Sequence, residues 1–194
     1  MTQFLMCLYT FVMVSGFWGL ALQNIIPKIL GESLSEEVIY EQIPYLRGQL
    51  LIQAQAEAAK LQELAGSEDL MTSKDTSAGA IAVEAAHQQA IASVGRFLEE
   101  EALPYLAAKS GRDFRLRQPA VAEELFATLT LQIPEKLRSP LNEICYCCDK
   151  RRRFDIQGKL HRWLHGWLLV HAPASILLVV VTLWHAFVAA FTYA

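Results

Sequence analysis

The sequence predicts an all-α membrane protein in which two transmembrane helices flank a small cytoplasmic helical bundle. Residues 4–26 and 163–194 are two long apolar runs, and each exceeds the about 20 residues that a helix needs to cross a bilayer. Every Lys, Arg, Asp and Glu lies between Lys28 and Arg162. The charged middle of the chain shows no alternation of apolar and polar residues typical of strands.

The length and charge of the chain narrow the classes of protein it can belong to. Its 194 residues suit one ordinary domain. The formal net charge of −3 argues against a nucleic-acid binder, which is usually basic, so we expect no nucleic-acid partner. We expect four segments: a first transmembrane helix (1–27), a cytoplasmic helical domain (28–138), a juxtamembrane helix (139–162) and a second transmembrane helix (163–194).

The first apolar run is interpreted as a retained span. It lacks the basic n-region of a signal peptide, since uncharged Met1, Thr2 and Gln3 precede it. No small-x-small cleavage site follows it either.

Basic residues flank both apolar runs on their inner sides. Lys28 follows the first run, and a cluster precedes the second: Lys150, Arg151, Arg152, Arg153, Lys159 and Arg162. Because basic flanks stay on the cytoplasmic side, we expect a cytoplasmic middle domain and two outward termini.

The middle begins with a predicted helix that runs to about Leu64. Ser33 heads a capping-box pattern before it. Pro44 should break or kink the helix, and Gly66 should close it as a C-cap. Residues 66–79 have the composition of a loop.

Two more helices are predicted before residue 138. The second covers about 78–108 with an interruption near Pro104, and residues 110–119 form a connector. The third runs from 119 to about 131. Its buried face is predicted from apolar residues at four-residue spacing: Val121, Leu125 and Leu129.

Ser139 and Pro140 have the pattern of an N-cap followed by proline at the first helical position. The next proline is Pro173. We therefore expect one helix from Pro140 into the second span, coupling the cytoplasmic bundle rigidly to it.

Three of the four cysteines form the sequence CYCC: Cys145, Cys147 and Cys148. They lie on the predicted cytoplasmic side, where disulfides are rare. Their spacing is not that of a zinc site, and the absence of CxxCH excludes covalent c-type haem. We interpret them as structural, with a redox or metal role in a partner-completed site as the alternative.

Four of the five histidines lie at or inside the second apolar run. His171 and His185 are fourteen residues apart, so they share one helix face and lie about 21 Å apart along the axis. His171 is an ionisable residue within the membrane, which is a functional hypothesis by default. His161 and His165 lie at the boundary, where headgroup contact and ligation are both open. The fifth, His87, is interpreted as a surface or cap residue.

The second apolar run resembles a helix that binds haem through histidines. The pair His171 and His185 resembles the haem-ligand pair on a ligand helix of cytochrome b in quinol-oxidising complexes. Three stretches, SGFWGLALQNIIP, EEVIYEQIP and LHRWLHGWLLVHAPASILLVVVTLWHAFVA, together resemble a group of bacterial two-span membrane proteins associated with b-type cytochromes and multihaem c-type electron carriers.

The resemblance implies a membrane electron-transfer subunit of a bacterial inner-membrane redox complex. It implies iron ligation by His171 and His185 in one or two b-type haems per dimer or complex, with His165 and His161 as further candidate ligands. We expect electrons to pass between a quinone or a cytoplasmic donor and an acceptor at the outer face, with a c-type cytochrome as a candidate partner.

The first span contains no histidine. The opposing ligands must therefore come from a second copy, in which His171 faces His171 and His185 faces His185, or from another membrane subunit. His165 taking part at the inner level is a further alternative.

Two other functions remain open. One is a non-catalytic anchor or scaffold, and the other is a metal or proton relay through the histidines. The charged middle contains no nucleophile–base pair, P-loop or HExxH. We therefore expect an electron-transfer or anchor subunit rather than an enzyme in its own right.

Overall fold

A computed structural model of the chain describes residues 2–31, 40–72, 78–109 and 113–193, without the side chains of 26–31, 67–72, 78–84, 86, 87 and 193. These residues are almost entirely helical, and no strand occurs among them. The α-helices are α1 (Thr2–Gly31), α2 (Ile43–Thr72), α3 (Ala78–Phe97), α4 (Leu103–Ala107), α5 (Pro119–Gln132) and α6 (Glu135–Tyr193). The predicted all-helical fold is confirmed for this part of the chain.

The chain divides into two compact units. The terminal unit comprises Met1–Tyr40 with Ile156–Ala194, and the central unit comprises Glu41–Asp155. Helix α6 begins in the central unit and ends in the terminal unit.

The terminal unit contains two helical stretches that are long and apolar enough to cross a membrane. One is Thr2–Ile25 in α1, and the other lies in α6. Only 6% of the most apolar window in α1 is buried, and 0% of that in α6. Large apolar side chains such as Phe17 and Leu169 are exposed instead. Both stretches therefore differ from core helices of soluble domains, whose apolar face is buried.

Helix α6 starts earlier than the sequence indicated. It begins at Glu135, directly after Pro134, whose carbonyl accepts a hydrogen bond from the Leu137 N–H at 3.1 Å. Ser139 and Pro140 lie inside the helix, so the prediction of Ser139 as N-cap is wrong. An acidic Glu135 in the first turn interacts favourably with the helix dipole. The continuation of the helix through Pro173 agrees with the prediction.

Helix α2 also has different ends from those predicted. It begins at Ile43 after a 3₁₀ turn, Tyr40–Gln42, so Pro44 lies in the first turn, where its missing N–H costs little. It continues past Gly66, and the predicted C-cap is wrong. A helical Gly costs about 1 kcal/mol, which the burial of Leu61 nearby offsets. The Ser33 cap lies outside the described residues.

The predicted interruption near Pro104 is confirmed. A π-helical turn, Leu98–Ala102, separates α3 from α4, and the Leu103 N–H donates to the Leu98 carbonyl. Pro104 follows immediately and has no N–H for the α-helical pattern. The described part of the connector holds one 3₁₀ turn, Arg115–Arg117.

Helix α5 confirms the third predicted helix, but its buried face is rotated. Ala122 and Phe126 are buried, whereas the predicted Val121, Leu125 and Leu129 are only half-buried. The Phe126 ring meets the Phe97 ring edge-on at 5.2 Å. The large aromatic ring occupies the centre of the face because it buries more apolar area than the aliphatic residues.

Within the central unit α2 packs against α3 and α4, and α3 packs against α5. The largest fully buried side chains of its core come from α2, α3, the 3₁₀ turn Arg115–Arg117 and the first part of α6: Leu61, Val94, Leu116, Leu137, Leu141, Ile144, Cys147 and Cys148.

Candidate functional site

His171 contacts α1 of the same chain through its imidazole. Its Nδ1 lies 3.0 Å from the hydroxyl oxygen of Ser15. One turn earlier on α6, the Trp167 indole N–H donates to the carbonyl and hydroxyl oxygens of Ser15, both at 3.1 Å. The Trp167 and His171 rings stack, with centroids 4.8 Å apart and planes inclined by 17°. We call Ser15, Trp167 and His171 the Ser15 cluster.

Two glycines on α1 make room for this cluster. A Cβ on Gly19 would lie 2.2 Å from the Trp167 ring, whereas a Cβ on Gly16 would lie 3.8 Å from His171 Cε1. Real Cβ atoms do not approach other heavy atoms as closely as 2.2 Å. Gly19 is therefore required for the indole to reach Ser15, while Gly16 leaves ordinary space beside the imidazole.

The second ring nitrogen of His171 has a weaker contact. Ser175 Oγ lies 3.4 Å from Nε2, and the same hydroxyl donates to the His171 carbonyl at 2.9 Å. A separation of 3.4 Å is long for a hydrogen bond. Among the described residues, Nδ1 is thus the well-bonded nitrogen and Nε2 the available one.

A groove of about 440 Å³ lies beside the cluster. Its lining is mainly apolar and comes from both helices: Val12, Met13, Gly16, Phe17, Leu20, Gln23, Trp167 and His171. The imidazole of His171 and the thioether of Met13 are the groups in this lining that haem iron accepts as ligands. The groove can therefore bind a planar apolar ligand and provide one histidine to coordinate it.

His161 and His165 form a separate group. The His161 ring stacks on Tyr40 at 4.2 Å between centroids and lies 4.4 Å from the His165 ring. His165 Nδ1 lies 3.1 Å from the His161 carbonyl oxygen. Next to them Trp163 meets Trp18 edge-on at 5.9 Å. The structure thus brings the boundary histidines together with aromatic rings, and their contacts do not involve the Ser15 cluster.

His185 is half-buried. Within the described residues it has no hydrogen bond or ring contact. The helix is uninterrupted between His171 and His185, so their predicted common face and separation of about 21 Å stand. The side chain of His87 lies outside the described part of the chain.

Sequence reasoning did not identify Ser15, Trp167 or Tyr40 as partners of the histidines. The signal that could have found the contact is the small residues of the first apolar run, Ser15 and Gly19 among them, because small residues let two helices approach closely. Which α6 side chains would meet them depends on the rotation and depth of two helices, which an apolar run does not specify.

The central unit buries two residues of the basic run. Arg151 donates to the carbonyls of Leu106 at 2.6 Å and Ala108 at 2.5 Å, at the end of α4. It also pairs with Asp155, which bonds Arg47 of α2. Burial lowers the pKa of Arg151 to about 10, so the guanidinium stays charged at neutral pH.

Arg152 is bound in a similar way. It donates to the Leu116 carbonyl at 2.9 Å and to Asp149 at 2.8 Å. Both arginines tie loop and helix-end carbonyls to α6, a structural task that their place in a basic run did not indicate.

The cysteines agree with their structural interpretation. Cys147 and Cys148 are fully buried, and burial raises their pKa to about 11 and about 12. Burial raises the pKa of Cys145 as well. Protonated buried thiols are poor nucleophiles and metal ligands. In the described ranges, no three His, Cys, Asp or Glu side chains are grouped as a metal site.

Comparison of the chain with protein families, curated proteins and solved structures found no match.

Proposed function

We propose that this chain is a membrane electron-transfer subunit that binds b-type haem through His171 and His185. The observation that carries the proposal is the hydrogen bonding of the two ring nitrogens of His171. Its Nδ1 is engaged by Ser15 while Nε2 has only a long contact, beside an apolar groove. Metal-ligating histidines characteristically bond an oxygen through the nitrogen that does not bind the metal.

The residues beside the groove fit one half of a haem site with two imidazoles. His171 supplies one imidazole, and the apolar lining suits a macrocycle. Among the described residues no other histidine lines the groove, so the opposing imidazole comes from a second copy or another membrane subunit. His185 serves the level about 21 Å away. Bound haem supplies one-electron chemistry, which the chain's own side chains lack.

The two apolar stretches and their basic flanks support the proposed location in a membrane. Thr2–Ile25 and the apolar part of α6 cross a bacterial inner membrane, with the central unit in the cytoplasm and both termini outside. Electrons pass between a quinone or cytoplasmic donor and a c-type cytochrome at the outer face. The resemblance of the sequence to proteins associated with multihaem c-type electron carriers supports the cytochrome.

A non-catalytic anchor is the second candidate function. The Ser15 cluster favours it, because its three hydrogen bonds join α1 to α6 and so give His171 an ordinary role in helix packing. An anchor needs no haem, so the two functions differ in whether the protein shows the absorption bands of haem.

The test is a reduced-minus-oxidised optical spectrum of the purified, fully assembled protein. We expect Soret and α-band signals of b-type haem. A spectrum without these bands would reject electron transfer and leave the anchor.

Variants then assign the ligands. His171→Ala and His185→Ala should each remove part of the bands, whereas His87→Ala, a control in the central unit, should leave them unchanged. If both ligand variants keep the full bands, His171 and His185 are not the ligands, and His161 or His165 would bind the iron instead.

A further inference from the structure

We infer that Ser15 is a positioning residue for His171, whose hydroxyl accepts the Nδ1 proton and thereby makes Nε2 the nitrogen that binds haem iron. This inference rests on the proposed function and adds a residue of α1 to the haem site. It concerns the side chain that sets the tautomer and orientation of the ligand.

The proton of the imidazole ring determines which of its nitrogens can bind iron. A neutral imidazole has one proton, and the nitrogen that binds iron must be without it. Ligation through Nε2 therefore places the proton on Nδ1. In apolar surroundings that N–H needs an acceptor, because leaving it unbonded is costly. Ser15 Oγ, at 3.0 Å, is that acceptor.

Ser15 is itself fixed by Trp167. The indole N–H is shared between the Ser15 carbonyl and hydroxyl oxygens. A hydroxyl oxygen has two lone pairs, so it accepts from Trp167 and from His171 together. The indole fits against Gly19, where no side chain occupies the space. The acceptor is thus held at one place on α1.

The orientation of the imidazole is restrained on two further sides. Trp167 stacks on one face of the ring. The Ser175 hydroxyl is committed to the His171 carbonyl and contacts Nε2 only at 3.4 Å. The contacts therefore distinguish the two nitrogens, with strong bonding on Nδ1 and a readily displaced contact on Nε2.

An acceptor on Nδ1–H has an electronic consequence. It raises the basicity of the imidazole, which stabilises ferric relative to ferrous iron and lowers the reduction potential. Removing the acceptor should therefore shift the potential to more positive values. A side chain that only fills space between helices would not move the potential.

The experiment is a redox titration of the assembled full-length protein, followed at the α-band. Ser15→Ala should retain haem, because Trp167 keeps the backbone carbonyl as acceptor, and should shift the potential positively. Ser15→Thr keeps a hydroxyl and should return the potential towards that of the wild type. The control is Thr10→Val, since the exposed Thr10 hydroxyl on the same helix donates to the Met6 carbonyl of its own helix at 2.8 Å.

Each outcome decides the inference. An unshifted potential in haem-retaining Ser15→Ala would overturn it and leave the proposed function intact. If Ser15→Ala loses haem, recovery of haem and potential in Ser15→Thr supports the role of the hydroxyl, and no recovery overturns it. A wild-type protein without haem overturns both the inference and the proposed function.

Discussion

Arg151 is the most buried charged side chain in the described part of the chain, with 2% of its surface exposed. Its guanidinium binds the Leu106 and Ala108 carbonyls and faces the Asp155 carboxylate. Buried charges are tolerated only when paired and fully hydrogen-bonded. Arg151 therefore provides hydrogen-bond donors for the carbonyls at the end of α4 and neutralises the charge of Asp155.

Arg151→Met should destabilise the central unit by about 3 kcal/mol or more, because it leaves buried carbonyls without a donor. The adjacent Arg153 is the matched control. It pairs with Asp149 at 2.8 Å, but its side chain is 40% exposed, so Arg153→Met should cost under about 1 kcal/mol. Urea denaturation of the full-length protein, followed by circular dichroism, measures both. Equal losses in the two variants would contradict the buried role of Arg151.

The residue scale is where the sequence was least informative. The positions of His171 and His185 on one face of a helix were predictable from their spacing, because helical geometry is regular. The Ser15 contact and the burial of Arg151 were not, since each depends on which helices meet and at what rotation. A run of basic residues gives no indication that the side chain of one of them is buried in the core.

At the scale of elements, α6 combines a buried cysteine segment with a long apolar stretch. Cys147 and Cys148 face the core of the central unit, with their pKa values raised to about 11 and about 12 from an ordinary 9.0. The buried hydroxyl of Tyr105 behaves similarly, since burial raises its pKa to about 12 from 10.0. All three groups are held in their neutral forms.

The stability of the central unit should fall as pH rises from about 9 to about 12. Well below pH 9 both folded and unfolded chains keep these protons, so the effect is absent there. Between the unfolded and folded pKa values the unfolded chain loses protons that the folded chain keeps, which favours unfolding. Urea denaturation at a series of pH values measures the slope.

Cys148→Ala is the comparison for that slope. It should lower stability at pH 8 because it leaves a cavity, yet its stability should fall less steeply above pH 9. A slope equal to that of the wild type would mean that Cys148 is not the titrating group.

Element types were largely predictable, and element ends were not. The sequence predicted helices at α2, α3 and α5, and Pro104 indicated the break between α3 and α4. The predicted end of α2 and the predicted start of α6 were wrong. Gly66 has a local preference for a C-cap and Ser139 for an N-cap, and tertiary packing outweighs both preferences. A C-cap or N-cap pattern is worth about 1 kcal/mol, less than the burial of one large side chain.

At the scale of the whole molecule, the distribution of charge predicts the membrane topology. Both basic flanks should stay in the cytoplasm, so a reporter that is active only outside the cytoplasm should be active when fused after Ala194. The same reporter inserted between α2 and α3, at residues 73–77, should be inactive. Activity in the reverse pattern would invert the orientation and move any inner-level haem to the outer side.

The central claim is a membrane haem whose iron is bound by His171 and by an imidazole from another chain. The most direct measurement is the electron paramagnetic resonance spectrum of the oxidised, assembled protein. We expect a low-spin ferric signal typical of iron bound by two imidazoles, and we expect His171→Ala to remove this signal from one haem. A histidine–methionine signature that disappears in Met13→Leu, or no ferric haem signal at all, would contradict the claim.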